Sequence, residues 1–282
     1  MTDIPGNRRI PVSVLILTLN EADNIERCIG ALDWCDDVVV LDSFSTDDTA
    51  GKARQLGARV FERKFDNFAG QRNYALEHLD LRHDWVLHLD ADEVVTEELA
   101  AEISDVVQSG TFAAYKIPSR LMFRGKWLKY SGMYPVYQVR LGRKEQLKFV
   151  QVGHGQRESL EPSSVGTLQN ACLHYGFSKG MTDWIERHNR YSSDEAIENL
   201  ARVQTGGRPI SGLFSSDGME RRRAAKVLAT RVPFRPFLRF IYMYLLNRGI
   251  FDGSAGWTYC RLMAMYEYWT VLKEREISRR ID

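Results

Sequence analysis

The sequence predicts an α/β fold: a mostly parallel, mixed sheet flanked by helices, with a helical appendage at the carboxyl terminus. Three observations predict it. In residues 10–110, short apolar runs alternate with segments whose apolar residues recur at helix spacing. From Ala114 onward, short strand-like runs are joined by Gly and Pro turns, which makes the sheet mixed. After residue 206, aromatic, aliphatic and arginine residues recur in a helical pattern.

The composition is that of a globular protein inside the cell. Of the 282 residues, 44% are hydrophobic, which is enough for a sizeable core. The net charge of +1 gives no reason to expect a nucleic-acid partner. Four cysteines without Cys-x-x-Cys spacing predict reduced thiols and a cytosolic location. The amino terminus lacks the apolar segment of a secretory signal, and no apolar run reaches the roughly 18 to 20 residues of a membrane-spanning helix.

Four strands are predicted in the first hundred residues, with helices between them. The apolar runs occupy residues 12–17, 38–41, 58–61 and 85–89. The first helix is predicted to begin at Asn20. The second follows capping residues at 43–49, runs through Leu56 and is ended by Gly57. The third is predicted at residues 71–79. Because the runs are apolar throughout rather than alternating, both faces of the sheet should be covered, as in parallel α/β sheets.

Polar side chains follow three of these strands. Residues 18–21, Asp42 and residues 90–92 each come directly after an apolar run. Since the carboxyl ends of parallel strands meet at one edge of a sheet, we expect them in one crevice. Two aspartates one residue apart suit Mg²⁺ or Mn²⁺ bound together with a diphosphate. Taken singly, residues 90–92 are more simply interpreted as an acidic turn, and residues 20–21 and 45–49 as helix caps. Their joint occurrence at three strand ends favours a ligand-binding site.

Four motifs occur in order along this region. They are Val-Ser-Val-Leu-Ile-Leu-Thr-Leu-Asn-Glu at 12–21, Val-Val-Leu-Asp-Ser-Phe-Ser-Thr-Asp-Asp-Thr at 39–49, Gln-Arg-Asn at 71–73 and Leu-Asp-Ala-Asp-Glu at 89–93. Together they resemble the motifs of family 2 glycosyltransferases with a GT-A fold. The rest of the chain is more loosely similar to bacterial lipopolysaccharide-core and related envelope glucosyltransferases. The resemblance implies a GT-A-like fold, a nucleotide-sugar donor, an inverting reaction and a divalent metal. No Gly-x-Gly-x-x-Gly follows the first strand and no P-loop occurs.

The resemblance also implies roles for six residues. Position by position, it places Thr18 and Glu21 beside the nucleoside, Asp42 on the base, Arg72 near the donor, and Asp90 and Asp92 at the ribose and metal. Asp92, later on the turn, is favoured as the direct metal ligand. Alone, Arg72 would be interpreted as a surface charge. The motifs depart from the family at Leu17 and Leu19, where Pro and Tyr are frequent, and at Ser43 and Phe44, where Asp and Gly are frequent, so the base is less well defined.

The middle of the chain is where acceptor chemistry is expected. Short strands are predicted at residues 115–118, 137–141 and 147–150. Between the first two, residues 123–130 interleave basic with aromatic side chains. Arg124 and Lys126 there are candidates for holding a sugar ring or phosphate, and a plain amphipathic hairpin is an equal alternative.

Inverting transfer needs a carboxylate that takes the proton of the acceptor hydroxyl. Residues 152–158 are polar and glycine-rich and follow a strand. Related enzymes have a His-Glu pair at a similar place; the glutamate matches Glu158, whereas Arg157 departs from the histidine. Glu158 is the candidate base, and His154 or Arg157 is a candidate phosphate contact. A surface turn is the alternative. His174 is either a hydrogen-bonded core histidine or a third metal ligand.

The carboxyl-terminal third is predicted to be helical. A helix is expected over residues 184–200, and Gly and Pro at 206–209 break it. We therefore expect a glycosyltransferase domain at 1–205, with a donor half at 10–110 and an acceptor half at 111–205, and a helical region at 206–282. A final helix at 257–274 is apolar except for a stripe of Glu267, Thr270 and Glu274.

Six arginines stand among aromatic and aliphatic residues in this region: Arg221, Arg222, Arg223, Arg231, Arg235 and Arg239. This composition favours an anionic membrane surface as a partner. A packed helical subdomain is the alternative.

The combined prediction is a metal-dependent hexosyltransferase that works with inversion. It would use a UDP-linked donor and a lipopolysaccharide-core or lipid-linked glycan acceptor, from the cytoplasmic, inner face of the plasma membrane. A non-catalytic nucleotide-sugar- or carbohydrate-binding protein on the same fold is the alternative. A nucleotidyltransferase is disfavoured because the Gly-rich, basic loop that it needs after residues 12–17 is missing. The oligomeric state is left open.

Overall fold

A computed structural model of the protein describes residues 9–152, 155–205 and 232–281. The chain divides into two compact units, which we call the sheet unit and the helical unit. The sheet unit comprises Met1–Trp127 and Tyr134–Lys179; the helical unit comprises Leu128–Met133 and Gly180–Asp282. This division differs from the one expected at residue 205. The helix Gly180–Thr205 belongs to the helical unit because it packs along the last helix of the chain.

The strands of the sheet unit are β1 (Val12–Thr18), β2 (Asp37–Asp42), β3 (Arg59–Glu62), β4 (Trp85–Asp90), β5 (Glu93–Val94), β6 (Ala114–Phe123), β7 (Lys126–Trp127), β8 (Val136–Arg143), β9 (Phe149–Val152), β10 (Gly155–Glu158), β11 (Val165–Thr167) and β12 (Cys172–His174). Its helices are α1 (Ile25–Gly30), α2 (Thr49–Gln55), α3 (Phe68–His78) and α4 (Glu97–Ser109). The helical unit contains α5 (Gly180–Thr205), α6 (Arg235–Ile241) and α7 (Gly253–Ile281).

The main sheet has the order β3-β2-β1-β4-β8-β6-β12-β5, and β7 and β11 pair with β6. Strands β3, β2, β1 and β4 are mutually parallel, whereas β8 joins β4 and β6 in antiparallel pairs. Strands β9 and β10 form a separate antiparallel pair. The mixed α/β fold class predicted from the sequence is confirmed.

Both faces of the central strand β1 are covered. Val14 and Ile16 are fully buried on one face, where α1 and α4 pack. Leu15, also fully buried, lies on the other face with Ala75 of α3. This burial is the physical reason for the unbroken apolar run of β1. All four cysteines are buried free thiols.

Local signals set several helix ends. The Thr96 hydroxyl accepts a hydrogen bond from Leu99 N (3.2 Å), and Gly110 ends α4 in a left-handed conformation (φ 59°). Asn67 caps α3 by accepting from Gly70 N (2.8 Å). Helix α1 begins at Ile25, later than expected, because Asn20 has φ 55° and cannot continue a right-handed helix.

The polar stripe of α7, which consists of Glu267, Thr270 and Glu274, faces the inside of the helical unit. Arg235 and Arg239 bind its two glutamates, although these arginines were expected at a membrane surface. Arg235 of α6 donates to Glu267 and Glu274 of α7, each at 2.6 Å. Arg239 donates to Glu267 at 2.7 Å. These two arginines are therefore internal ion-pair partners rather than a membrane-facing charge, because a charge in a packed interior needs a counter-charge. Arg221, Arg222, Arg223 and Arg231 lie outside the described residues. No helix within the described ranges is long and apolar enough to cross a membrane.

Candidate active site

The polar strand ends lie at one edge of the sheet. Strand register places Thr18 opposite Asp42, and Leu17 lies between Leu41 and Asp90. The carboxyl ends of β1, β2 and β4 are thus adjacent, at the position where parallel α/β sheets bind ligands.

Asp42 holds the loop after β2. Its side chain is buried and accepts hydrogen bonds from the Thr18 hydroxyl (2.7 Å), from Ser45 N (2.7 Å) and from the Ser45 hydroxyl (2.6 Å). A carboxylate has about four lone-pair sites, so these bonds leave room for about one more donor. The geometry therefore gives Asp42 a positioning role in the loop and leaves at most one site for a ligand.

The loops after β1 and β2 are tied to each other. The Ser45 hydroxyl accepts from Asn20 N, and Asn20 Oδ1 accepts from Thr46 N, both at 2.8 Å. Asp47 Oδ1 accepts from the N–H of Thr49, the first residue of α2 (3.1 Å), so residues 45–49 contribute both to this crosslink and to the start of α2, whereas α1 has no side-chain cap. Phe44 has φ 61° and is 56% exposed beside this crosslink. A left-handed conformation costs a non-glycine residue about 1–2 kcal/mol, which the crosslinked loop offsets.

Asp90 is held between two arginines. Arg72 Nη2 donates to Asp90 Oδ1 (2.9 Å) and Arg140 Nη2 donates to Asp90 Oδ2 (2.6 Å). Arg140 also donates to Glu93 Oε1 at 2.7 Å. Burial alone would raise the pKa of Asp90, but the Arg140 and Arg72 guanidiniums outweigh it and hold this pKa well below its ordinary value. We call Arg72, Asp90, Glu93 and Arg140 the charge cluster.

Two arginines of the charge cluster are buried. The side chains of Arg72 and Arg140 are 2% and 7% exposed, so the surface-charge alternative for Arg72 is wrong. Burial lowers the pKa of Arg72 to about 10, which leaves it charged at neutral pH. Arg140 was not among the predicted site residues. Its signal was an arginine between Val139 and Leu141 in a predicted strand, where a buried charge must be paired.

His174 lies beside Asp92. Strand β12 pairs with β5, setting His174 opposite Glu93, and Tyr175 N donates to Asp92 O at 2.8 Å. His174 Nε2 is 3.3 Å from Asp92 Oδ2, and its side chain is 36% exposed. Burial alone would lower the pKa of His174, but the hydrogen bond and charge of Asp92, with Glu93 and Asp90 nearby, raise it to about 9.

The Asp92–His174 pair fits a divalent cation that completes its shell with ligand oxygens. Adjacent donors of an octahedral Mg²⁺ or Mn²⁺ ion at about 2.1 Å lie about 3 Å apart, close to the separation observed here. Among the described residues no three His, Cys, Asp or Glu side chains form a complete cage. Such a cation would need further oxygens, as from a diphosphate and water. Both Asp90 oxygens face arginines instead.

Glu21 forms an ion pair with Lys179 near the same edge. Lys179 Nζ lies 2.5 Å from Glu21 Oε1 and 3.4 Å from Leu19 O. Burial raises the pKa of Glu21 above its ordinary value, although the bonds from Lys179 and Asn24 act in the opposite direction. Lys179 was missed at the sequence level. It is 158 positions from Glu21, and only the fold joins them.

The Gln-Arg-Asn motif joins the sheet to the β9–β10 pair. Asn73 of α3 exchanges two hydrogen bonds with the backbone of Phe149, both at 2.9 Å. The Phe149 ring lies 4.9 Å from the His88 ring and 5.7 Å from the Arg72 guanidinium. Glu158, the candidate base, pairs with Phe149 in register and is half-buried.

Three of the remaining acceptor candidates, Arg124, Lys126 and Arg157, are exposed. Arg157 is exposed on β10, and His154 lies outside the described residues. Arg124 and Lys126 are exposed at the β6–β7 turn, where Phe123 pairs with Lys126. Arg124 has φ 50°, and its guanidinium lies 5.2 Å from the Phe123 ring. These residues form a hairpin, which is compatible with either of the two interpretations of this segment.

These features define an α/β protein with polar side chains beyond the carboxyl ends of parallel strands, among them an Asp92–His174 ion pair and a cluster of paired charges. Its family follows from sequence comparison. The model of the family "Glycosyl transferase family 2" matches residues 13–156, just over half of the chain, so the protein belongs to this family. The predicted family is confirmed.

Relatives extend the similarity beyond that domain. A glycosyltransferase of Rickettsia bellii is 38% identical over 281 residues, covering 95% of this chain and 87% of its own. The lipopolysaccharide core biosynthesis glycosyltransferase LpsC of Rhizobium meliloti is 24% identical over 279 residues, covering 94% and 92%. Other relatives match only in part: the glycosyltransferase of Rickettsia felis is 40% identical over 117 residues, and the match spans 41% of that protein and 40% of this chain.

A solved structure of the mannosyltransferase PcManGT from Pyrobaculum calidifontis, in complex with GDP-Man and Mn²⁺, is 18% identical, with a TM-score of 0.49. The similarity covers 94% of this chain and 87% of that one.

Proposed function

We propose that this protein is an inverting glycosyltransferase that moves a hexose from a UDP-linked donor, with Mn²⁺ or Mg²⁺, to a lipopolysaccharide-core or lipid-linked glycan acceptor. Membership of glycosyl transferase family 2 supports the transfer reaction. The similarity to LpsC along nearly the whole chain supports the acceptor class.

On the donor side, Thr18, Glu21 and Asp42 would shape the nucleoside site. Asp42 fixes the loop that borders the base and can accept one further hydrogen bond. Glu21 is already paired with Lys179, so a bound diphosphate would compete with a carboxylate for this ammonium. Arg72 would act through Asp90, holding the end of β4 in place.

Asp92 and His174 would hold the cation. When bound, the cation stabilises the negative charge that develops on the departing diphosphate. The protein's own contribution is orientation: the charge cluster fixes the strand end from which Asp92 projects, and the Tyr175 N–H bond to Asp92 O fixes the register of His174.

On the acceptor side, Glu158 would remove the proton from the attacking hydroxyl. Because β10 is paired with β9, and Asn73 ties β9 to α3, the position of Glu158 is linked to the Gln-Arg-Asn motif. Arg157, His154, Arg124 and Lys126 are candidate contacts for acceptor phosphates or sugars. A lipid-linked acceptor would place the protein peripherally, at the cytoplasmic face of the plasma membrane.

The single observation that carries the proposal is the Asp92–His174 pair at the carboxyl end of β4. The test is a thermal-shift screen of nucleotide sugars with and without Mn²⁺, followed by donor hydrolysis with the compounds that bind. A UDP-hexose that stabilises the protein only with Mn²⁺, and is then hydrolysed, supports the proposal. Binding with no turnover under any acceptor condition would favour the rival, a non-catalytic nucleotide-sugar-binding protein.

A further inference from the structure

A run of exposed apolar side chains follows α6 and the turns after it in the helical unit. We call it the outer stripe; its residues are Phe234, Phe237, Leu238, Tyr242, Leu245, Leu246, Ile250 and Phe251, which are exposed by 80, 63, 45, 49, 50, 71, 48 and 73%. They occur singly or as adjacent pairs, three or four positions apart, through α6, the following turn of π-helix (Tyr242–Leu246) and the 3₁₀ turn Gly249–Asp252. This spacing places most of them on one side of the segment.

The charges of α6 point the other way. Arg235 and Arg239 bind Glu267 and Glu274 of α7, and Met243 of the following turn is buried. The charged side chains of α6 are therefore packed inside the unit, whereas its apolar side chains are exposed. The usual reason for an apolar helix face, burial in the protein's own core, does not apply to the outer stripe.

The outer stripe is large for an exposed apolar surface. With about 200 Å² for a fully exposed large side chain, its eight residues expose on the order of 1,000 Å². The largest apolar patch of an ordinary monomer is about 300–600 Å², and larger ones mark interaction sites.

The charges around the stripe select its partner. Arg248 and Arg261 are exposed. Residues 232–275 contain three acidic side chains, and all are engaged inside the unit. Asp252 accepts from Tyr130 N and Ser131 N, and Glu267 and Glu274 bind arginines. The outward charge of this segment is therefore positive.

We propose that the outer stripe inserts into the boundary between headgroups and acyl chains of an anionic lipid bilayer, with Arg248 and Arg261 against lipid phosphates. A second copy of the chain fits less well, since a two-fold contact sets the same surface against itself and brings arginines together without acidic partners. This goes beyond the proposed function by naming the surface and the mode: apolar insertion rather than attraction by the arginines of α6. It holds whichever sugar the protein transfers.

The test is co-sedimentation of the full chain with vesicles of phosphatidylcholine containing phosphatidylglycerol, at ~0.1 M and ~0.5 M NaCl. Insertion predicts binding that is mostly retained at the higher salt concentration. Phe234→Ser with Phe237→Ser should lower the partition coefficient at least about tenfold. Leu246→Ser, a separate change in the same stripe, should lower it too. Phe65→Ser, an exposed phenylalanine of the sheet unit, is the matched control and should bind as wild type.

Three outcomes would overturn the proposal. One is wild-type binding by the double variant while circular dichroism shows it folded. Another is no vesicle binding by the wild type. The third is a wild-type dimer in light scattering that the stripe variants convert to monomers while vesicle binding is unchanged, which would make the stripe an interface between copies. Donor hydrolysis in solution is measured in parallel, so a failure here is distinct from a failure of the proposed transfer reaction.

Discussion

Arg140 is the cation on which two carboxylates of the charge cluster depend, and Arg140→Met tests that dependence. Methionine keeps most of the volume of the arginine stem and removes its charge. In the protein, Arg140 is 7% exposed and donates to Asp90 (2.6 Å) and to Glu93 (2.7 Å), whose side chain is 3% exposed. The variant leaves Asp90 with Arg72 and leaves Glu93 without this guanidinium.

The expected loss follows from the chemistry of buried ion pairs. Removing one member of such a pair destabilises a protein by about 3–5 kcal/mol, since the remaining charge is left buried and uncompensated. The loss should depend on pH. Burial already raises the pKa of Glu93, and Arg140 opposes that rise. Without Arg140 the pKa rises further, and a carboxyl whose folded pKa exceeds its unfolded value loses stability as pH increases.

The assay is urea denaturation at about pH 8 and about pH 5.5. Relative to wild type, Arg140→Met should lose more stability at the higher pH. Adding Glu93→Gln should recover part of the loss and flatten its pH dependence, because the amide carries no charge. Arg143→Met, a half-buried arginine at the end of the same strand, is the matched control and should cost less than about 1 kcal/mol. A loss in Arg140→Met equal to that control, or one unchanged by pH, would refute this account of the charge cluster.

Three further predictions concern the candidate active site. Asp92→Ala should abolish transfer with a near-wild-type circular dichroism spectrum and melting temperature, and full activity would remove Asp92 from the metal site. Glu158→Gln should slow turnover by roughly 10²–10⁴ with donor affinity little changed; normal turnover would place the base elsewhere. Because the pKa of His174 is raised to about 9, Mn²⁺ should displace its proton near neutral pH and bind less tightly as pH falls. Calorimetry in two buffers of different ionisation enthalpy should show this proton release in the wild type, and equal release in His174→Gln would contradict it.

The donor half of the sheet was predictable because its signals are local. Apolar runs in the sequence predict β1, β2 and β4. The residue that follows each run is polar, and the structure places these polar residues at the edge of the sheet. The same local logic was incomplete at residues 20–21 and 45–49. Polar residues ahead of a helix suggest caps, but here the two loops hydrogen-bond to each other across 25 or 26 positions.

The rest of the candidate site depends on contacts that no local pattern contains. Arg140 and Asp90 are 50 positions apart, and Lys179 and Glu21 are 158 apart. His174 was left with two interpretations because a histidine in a short apolar run has no indication of its partner. The pairing of β12 with β5 supplies that partner by bringing His174 to Asp92.

The helical unit shows a different reason for error. The stripe of Glu267, Thr270 and Glu274 was correctly located on the last helix, but helical periodicity cannot tell an inward polar stripe from an outward one. Arg235 and Arg239 make the inward arrangement favourable by pairing with it. The apolar residues of the same segment are exposed in consequence.

The central claim is that Asp92 and His174 hold a cation together with a nucleoside diphosphate. The most direct test is the affinity for UDP measured with and without Mn²⁺ in the wild type and in Asp92→Ala. The account predicts that Mn²⁺ tightens UDP binding at least about fivefold in the wild type, that UDP tightens Mn²⁺ binding by the same factor, and that Asp92→Ala removes this coupling. Equal UDP affinity with and without Mn²⁺ in the wild type, or unchanged coupling in Asp92→Ala, would contradict it.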